Sequence, residues 1–170
     1  MFELPAAKYP APRSGLNYEL PVAIQLPHSS CVFLQGDNGA GKTSFLEEVL
    51  VPKIHKAYDL LYLAQDIEIQ QTTMIATLAL LNQPVPDFLP DLITAWIKAA
   101  TRCQVLILDE IDKYFKKDLD QAMTLSRFSL VLTVSHMNLQ APYRSMQHGY
   151  ALRFQRNHVR TVTLSLEHLW

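Results

Sequence analysis

The segment GDNGAGKTS, Gly36 to Ser44, gathers three of the chain's five glycines into nine residues. Glycine reaches positive φ without steric cost and lets a ligand approach the main chain, so such a cluster marks a backbone that is itself a binding surface. The spacing Gly36-x-x-x-x-Gly41-Lys42-Thr43 is that of a P-loop, in which successive N–H groups and a helix N-terminus face phosphate. On this reading Gly36, Asp37, Asn38, Gly39, Ala40, Gly41, Lys42, Thr43 and Ser44 surround the phosphates of a nucleotide. Lys42 reaches the terminal phosphates, and the Thr43 hydroxyl holds Mg2+. The motif needs a strand before it and a helix after it. Cys31-Val32-Phe33-Leu34 reads as a buried strand, and Thr43 to Val51 as a helix that Pro52 should stop.

The rest of the chain repeats that alternation. Asp59 to Ala64, Val105 to Leu108 and Leu130 to Val134 read as buried strands, with helices expected over Thr72–Leu81, Asp91–Thr101 and Asp118–Arg127. Met74, Ile75, Leu78 and Leu81 are expected on one face of the first, and Leu92, Ile93, Trp96, Ile97 and Ala100 on one face of the second. Alternating apolar and polar residues around Tyr150–Phe154 and Val162–Leu166 predict a closing β-hairpin over 149–167. The fold class is therefore α/β, a three-layer sandwich with a mostly parallel central sheet and a C-terminal hairpin. A length of 170 residues with 49% apolar and 18% charged side chains suits one domain over 1–170. Pro5, Pro10 and Pro12 make 1–15 an extended lead-in across the surface, and 66–103 is a reduced helical insertion.

The strand VLILDE ends in Asp109 and Glu110, two carboxylates at the carboxyl end of a buried strand, where open α/β sheets bind ligands. This is a Walker B pattern: Asp109 orients the magnesium or its water, and Glu110 polarises the water that attacks the γ-phosphate. Gln65 follows the strand LLYLA, and His136 follows LVLTVS. Walker A, a strand-end glutamine, Walker B and a strand-end histidine, in that order, resemble the ABC-type ATPases. The resemblance implies that Gln65 touches magnesium and the attacking water, that His136 contacts the γ-phosphate, and that the ligands are ATP and Mg2+. It also implies an aromatic residue upstream that stacks on adenine, for which Tyr9 is preferred over Tyr18. The chain departs from the family where a signature of the LSGGQ kind belongs, offering Val85-Pro86-Asp87-Phe88-Leu89-Pro90 instead.

A rival resemblance, to AAA+ ATPases, rests on Asp109-Glu110-Ile111-Asp112-Lys113, with Asn138 as a displaced sensor. Its weakness is the β-rich C-terminus. The expected activity is slow ATP hydrolysis that regulates or drives a protein partner or oligomer; the alternatives are an ATPase subunit of a membrane transporter and an AAA+-like loader or remodeller on DNA. A net charge of −1 gives no global attraction to nucleic acid. Lys113, Lys116 and Lys117, with Arg153, Arg156, His158 and Arg160 on the hairpin, leave nucleic-acid contact as a weaker possibility. No apolar run is long enough to span a bilayer, so direct membrane insertion is not expected. Cys31 and Cys103 beside buried strands read as reduced core thiols, which suits a cytoplasmic location.

Overall fold

The computed structural model describes residues 1–115, 124–135 and 143–170. Ten strands are present among them: β1 Phe2–Leu4, β2 Ala7–Ala11, β3 Leu16–Leu20, β4 Ile24–Leu26, β5 Ser30–Gln35, β6 Leu60–Leu63, β7 Val105–Asp109, β8 Leu130–Val134, β9 His148–His158 and β10 Thr161–His168. The helices are α1 Lys42–Phe45, α2 Val51–Ile54, α3 Ile67–Leu80 and α4 Leu89–Ala99. Eight strands form one sheet in the order β2-β3-β10-β9-β5-β8-β7-β6, and β1 pairs with β4 apart from it. From β9 to β6 every neighbour is parallel. The β9–β10 hairpin and the β2–β3 hairpin add the antiparallel pairs.

The sheet is buried on both faces because its central strands are apolar at nearly every position, Ser30, Thr133 and Asp109 being the buried polar exceptions. Val32, Leu34, Val105, Ile107, Leu130 and Leu132 face one side with Phe45, Leu46, Leu50 and Ile54, while Cys31, Phe33, Leu106, Leu108 and Val131 face Met74, Leu78, Leu92, Ile93 and Ile97 on the other. Cys31 and Cys103 are both free thiols. The extended N-terminus is not a surface lead-in: β1 and β2 are both paired strands, and Leu4, Tyr9 and Ala11 lie in the core.

Pro52 does not stop the helix after the P-loop. Its missing N–H and its ring exclude the ordinary contact with the Glu48 carbonyl, and Leu46–Leu50 widens into a π-helical segment before α2 resumes through Pro52 to Ile54. α3 begins at Ile67, earlier than expected, and buries Ile67, Met74 and Leu78. Ile75 and Leu81, expected on that face, are 40% and 49% exposed. Pro90 sits in the first turn of α4, where a proline lacks no bond. The helix expected over 118–127 falls largely outside the described residues, whose part of it is a 3-10 turn at Leu125–Arg127.

Candidate functional site

Gly36 and Gly41 are required for different physical reasons. A Cβ on Gly36 would stand 2.8 Å from the Phe154 carbonyl oxygen, so β9 could not lie so close to the loop. Gly41 has φ +90°, and a Cβ there would meet Leu16 and the Tyr18 hydroxyl at 2.6 Å. Tyr18, fully buried, donates its hydroxyl to the Gly41 carbonyl at 2.7 Å and packs against Phe45 at 4.8 Å between ring centroids. The loop is thus shaped from beneath by β3.

The loop and the strand ends enclose a cavity of about 460 Å3 lined by Leu16, Asn38, Gly39, Gly41, Lys42, Thr43, Ser44, Gln65, Glu110 and Val134. Lys42 Nζ donates to the carbonyls of Gly36 at 2.8 Å and Asp37 at 3.0 Å. Burial lowers its pKa, against the opposing pull of Glu110, Asp37 and Asp109. Thr43 Oγ1 lies 3.4 Å from Asp109 Oδ1. Asp109 is fully buried, and burial pushes its carboxyl up to about 6, with Glu110 and Glu47 adding to the rise and hydrogen bonds from Thr43 and Tyr62 opposing it. Gln65 Nε2 donates to Glu110 Oε2 at 2.9 Å. Glu110 adopts a left-handed φ of 56°, uncommon for a residue with a Cβ, and its N–H donates to Val134 at 2.9 Å across the strand ends.

Five sequence-predicted residues, Lys42, Thr43, Gln65, Asp109 and Glu110, therefore meet at one place. His136, and with it Asn138, lies outside the described residues. Tyr9 is not positioned to stack on a base: its ring is buried under Lys53, 4.9 Å from the ring centroid, and its hydroxyl bonds to the Pro5 carbonyl. The side chain beside the loop is Leu16, which no motif announces. Tyr62 also lines the acidic end of the site, where no motif places it. Its hydroxyl reaches Asp109 Oδ2 and Glu47 Oε1, each at 3.4 Å, and Tyr62, on β6, has the strand periodicity of an ordinary core residue.

Arg156, on the closing hairpin, donates to the Gly39 carbonyl at 3.1 Å and to the carbonyl of Val159. It holds the crest of the loop from outside. Arg153 is paired with Glu167 at 2.7 Å, and Lys113 Nζ reaches the Gln65 carbonyl at 3.4 Å. A second cavity of about 450 Å3 lies behind the loop, between Gln35–Ala40 and Arg153–Arg156.

The donor set fits magnesium. No group of three or more His, Cys, Asp or Glu side chains is poised for a metal among the described residues, but Mg2+ takes only one or two protein oxygens with water and phosphate. Thr43 and Asp109, whose side-chain oxygens lie 3.4 Å apart, could supply them.

The parallel sheet, the loop after β5 and the acidic end of β7 define a P-loop NTPase fold. No protein-family model matches the chain, and no curated protein matches it. Among solved structures it resembles the archaeal ribosome recycling factor aABCE1 in complex with the ribosomal stalk protein aP1, with TM-score 0.52 and 15% identity over 96% of this chain and 40% of that one. It also resembles an RNase-L inhibitor, with TM-score 0.54 and 15% identity over 96% of this chain and 39% of the other. A chain of ribosome-bound archaeal Pelota and ABCE1 gives TM-score 0.56 and 14% identity, covering 99% of this chain and 35% of that one. The chain spans 35 to 40% of the length of these proteins, and at such identities the likeness is one of fold. No helix among the described residues is long and apolar enough to cross a membrane.

Proposed function

We propose that the chain is a Mg2+-dependent ATPase of ABC type whose nucleotide cycle regulates or drives a protein partner. The observation that carries this reading is the contact of Gln65 with Glu110 at 2.9 Å, in the same cavity as Lys42 and Thr43. A glutamine from the end of β6 holds a carboxylate from the end of β7 where water would meet a terminal phosphate. The C-terminal β9–β10 hairpin, paired directly with the P-loop strand, favours the ABC-type reading over the AAA+ one.

Each group then has a role that its surroundings support. Lys42 exchanges the Gly36 and Asp37 carbonyls for phosphate oxygens; burial disfavours its charge, and Glu110, Asp37 and Asp109 oppose that. Asp109 and Thr43 would hold magnesium, which when bound would supply charge neutralisation on the phosphates. Glu110 orients and polarises water, and Gln65 positions it. His136, one residue beyond Ser135 at the end of β8, is proposed to contact the γ-phosphate.

Residues 85–90 carry no cationic side chain, Pro86 and Pro90 lack N–H donors and Asp87 is acidic, which makes them a poor surface for a second copy's phosphate. The isolated protein is therefore expected to bind Mg-ATP and turn it over slowly, with a partner accelerating it. Contacts supplied in trans contribute about 10³ to 10⁵ in phosphoryl transfer. The test is steady-state turnover against protein concentration, with and without proteins recovered on the ATP-bound chain. Turnover at enzyme-like rates that is fast and concentration-independent in the isolated protein would contradict partner control.

A further inference from the structure

Tyr62 lies where the strand that leads to Gln65 meets the strand that carries Asp109. β6 is an edge strand of the sheet and pairs in parallel with β7, Tyr62 beside Ile107 and Leu63 beside Leu108. A side chain of α3 anchors its end: Gln70 Nε2 donates to the Tyr62 carbonyl at 3.0 Å, and Gln70 Oε1 accepts from the Ala64 N–H at 3.0 Å. The backbone on either side of Leu63 is thereby held. The Tyr62 ring, partly buried, packs with Phe45, Leu46 and Leu50 of the segment after the P-loop in one core cluster.

The hydroxyl of that ring faces two carboxylates with one hydrogen. It lies 3.4 Å from Asp109 Oδ2 and 3.4 Å from Glu47 Oε1, and a phenol keeps its hydrogen at neutral pH. Glu47 has other partners, since its side chain is 40% exposed to water and its Oε2 lies 3.4 Å from Arg13 Nη2. Asp109 is fully buried and depends on the donors beside it, Thr43 at Oδ1 and Tyr62 at Oδ2. The hydrogen therefore belongs with Asp109, because a buried charge left short of a donor costs more than an exposed one. A carboxylate needs such guidance: rotation about its Cβ–Cγ bond has only a broad, two-fold preference. With one hydroxyl at each oxygen its plane is set, and about two of its roughly four lone-pair sites stay open to a cation or its water.

We infer, on the Mg-nucleotide reading above, that Tyr62 is a positioning residue for magnesium: its hydroxyl holds Asp109 in the rotation that accepts Mg2+, and so sets how much the metal strengthens nucleotide binding. Groups that orient a metal ligand from behind matter nearly as much as the ligand, and their loss costs about 10-fold to 100-fold in metal affinity. A tyrosine that only filled the core would have no such effect. Tyr62→Phe keeps the ring and drops the hydroxyl, which separates the two roles.

The experiment is equilibrium binding of AMP-PNP, an ATP analogue whose terminal bridge resists hydrolysis, to the full chain by calorimetry in saturating Mg2+ and in EDTA. The ratio of the two dissociation constants is the gain that the metal brings, and reading it needs no turnover. Tyr62→Phe, its folding checked by circular dichroism and urea unfolding, should bind the metal-free analogue as wild type does, because Lys42 and the loop are untouched. Its Mg2+ gain should fall by about 10-fold or more. Glu47→Ala, which removes the competing acceptor, should keep most of the gain. A Tyr62→Phe protein with the wild-type gain would overturn the inference and leave the nucleotide reading standing. So would an equal loss with and without the metal, the mark of a structural role, a wild type that gains nothing from Mg2+, or a Glu47→Ala protein that loses the gain as Tyr62→Phe does. Wild-type protein that binds the analogue in neither condition would contradict the nucleotide reading itself, and the inference with it.

Discussion

Asp109 is the residue on which sequence pattern and physical environment meet. The pattern predicts a carboxylate at a strand end, and the structure buries it fully between Thr43 and Tyr62, with Glu47 and Glu110 near by. Its carboxyl titrates at about 6 in the folded protein against 3.8 ordinarily. The protonated form therefore favours the fold. That contribution is complete below about pH 4, the value expected in the unfolded chain, and is lost as pH rises through about 6. Asp109→Asn cannot ionise, so its stability relative to wild type should rise by roughly 2 to 3 kcal/mol between pH 4 and 7. Urea unfolding of both proteins at the two pH values measures this. A difference that does not change with pH would contradict the buried setting of the carboxylate. Saturating Mg2+ should narrow the gap at pH 7, because only the carboxylate gains a ligand.

At the scale of elements, the sequence states the type of each segment more reliably than its ends and faces. The strands are legible because nearly every central position is apolar. The helix after the P-loop is misread at Pro52 because a widened π-helical segment, Leu46–Leu50, absorbs the proline, and nothing in the local residues announces it. α3 is misread by face because apolar residues lie on both sides, so periodicity alone cannot tell Met74 from Ile75. A pair of substitutions tests the corrected face. Met74→Ala, fully buried against the sheet and α4, should cost about 2 to 4 kcal/mol, whereas Ile75→Ala should cost less than about 1 kcal/mol. Guanidinium unfolding gives both values, and equal losses would mean that the face is wrongly assigned.

Across the whole molecule, the pattern of loop, helix and buried strands foretold the parallel half of the sheet and the closing hairpin, but not β2 and β3 or the hairpin's pairing with β3 and β5. Those strands matter to the site. Tyr18 supports Gly41 from below, Leu16 lines the cavity, and Arg156 steadies the Gly39 carbonyl. Such roles depend on strand pairing between distant segments, β3 with β10 and β9 with β5, and short motifs carry no record of it. That Lys42, Thr43, Gln65, Asp109 and Glu110 would converge was legible because each ends or follows a buried strand or opens the helix after one, at the same end of the sheet. The place of Tyr9 was not, because an aromatic side chain well upstream serves a core as readily as a base.

If this cavity binds Mg-ATP through Lys42 and Thr43 and cleaves it with Glu110, the nucleotide recovered after incubation with Mg-ATP and rapid desalting distinguishes the variants. Intact ATP, about one per chain, is expected on Glu110→Gln, ADP on wild type, and neither on Lys42→Ala. ADP recovered from Glu110→Gln at the wild-type rate would contradict this reading, as would nucleotide bound equally by Lys42→Ala.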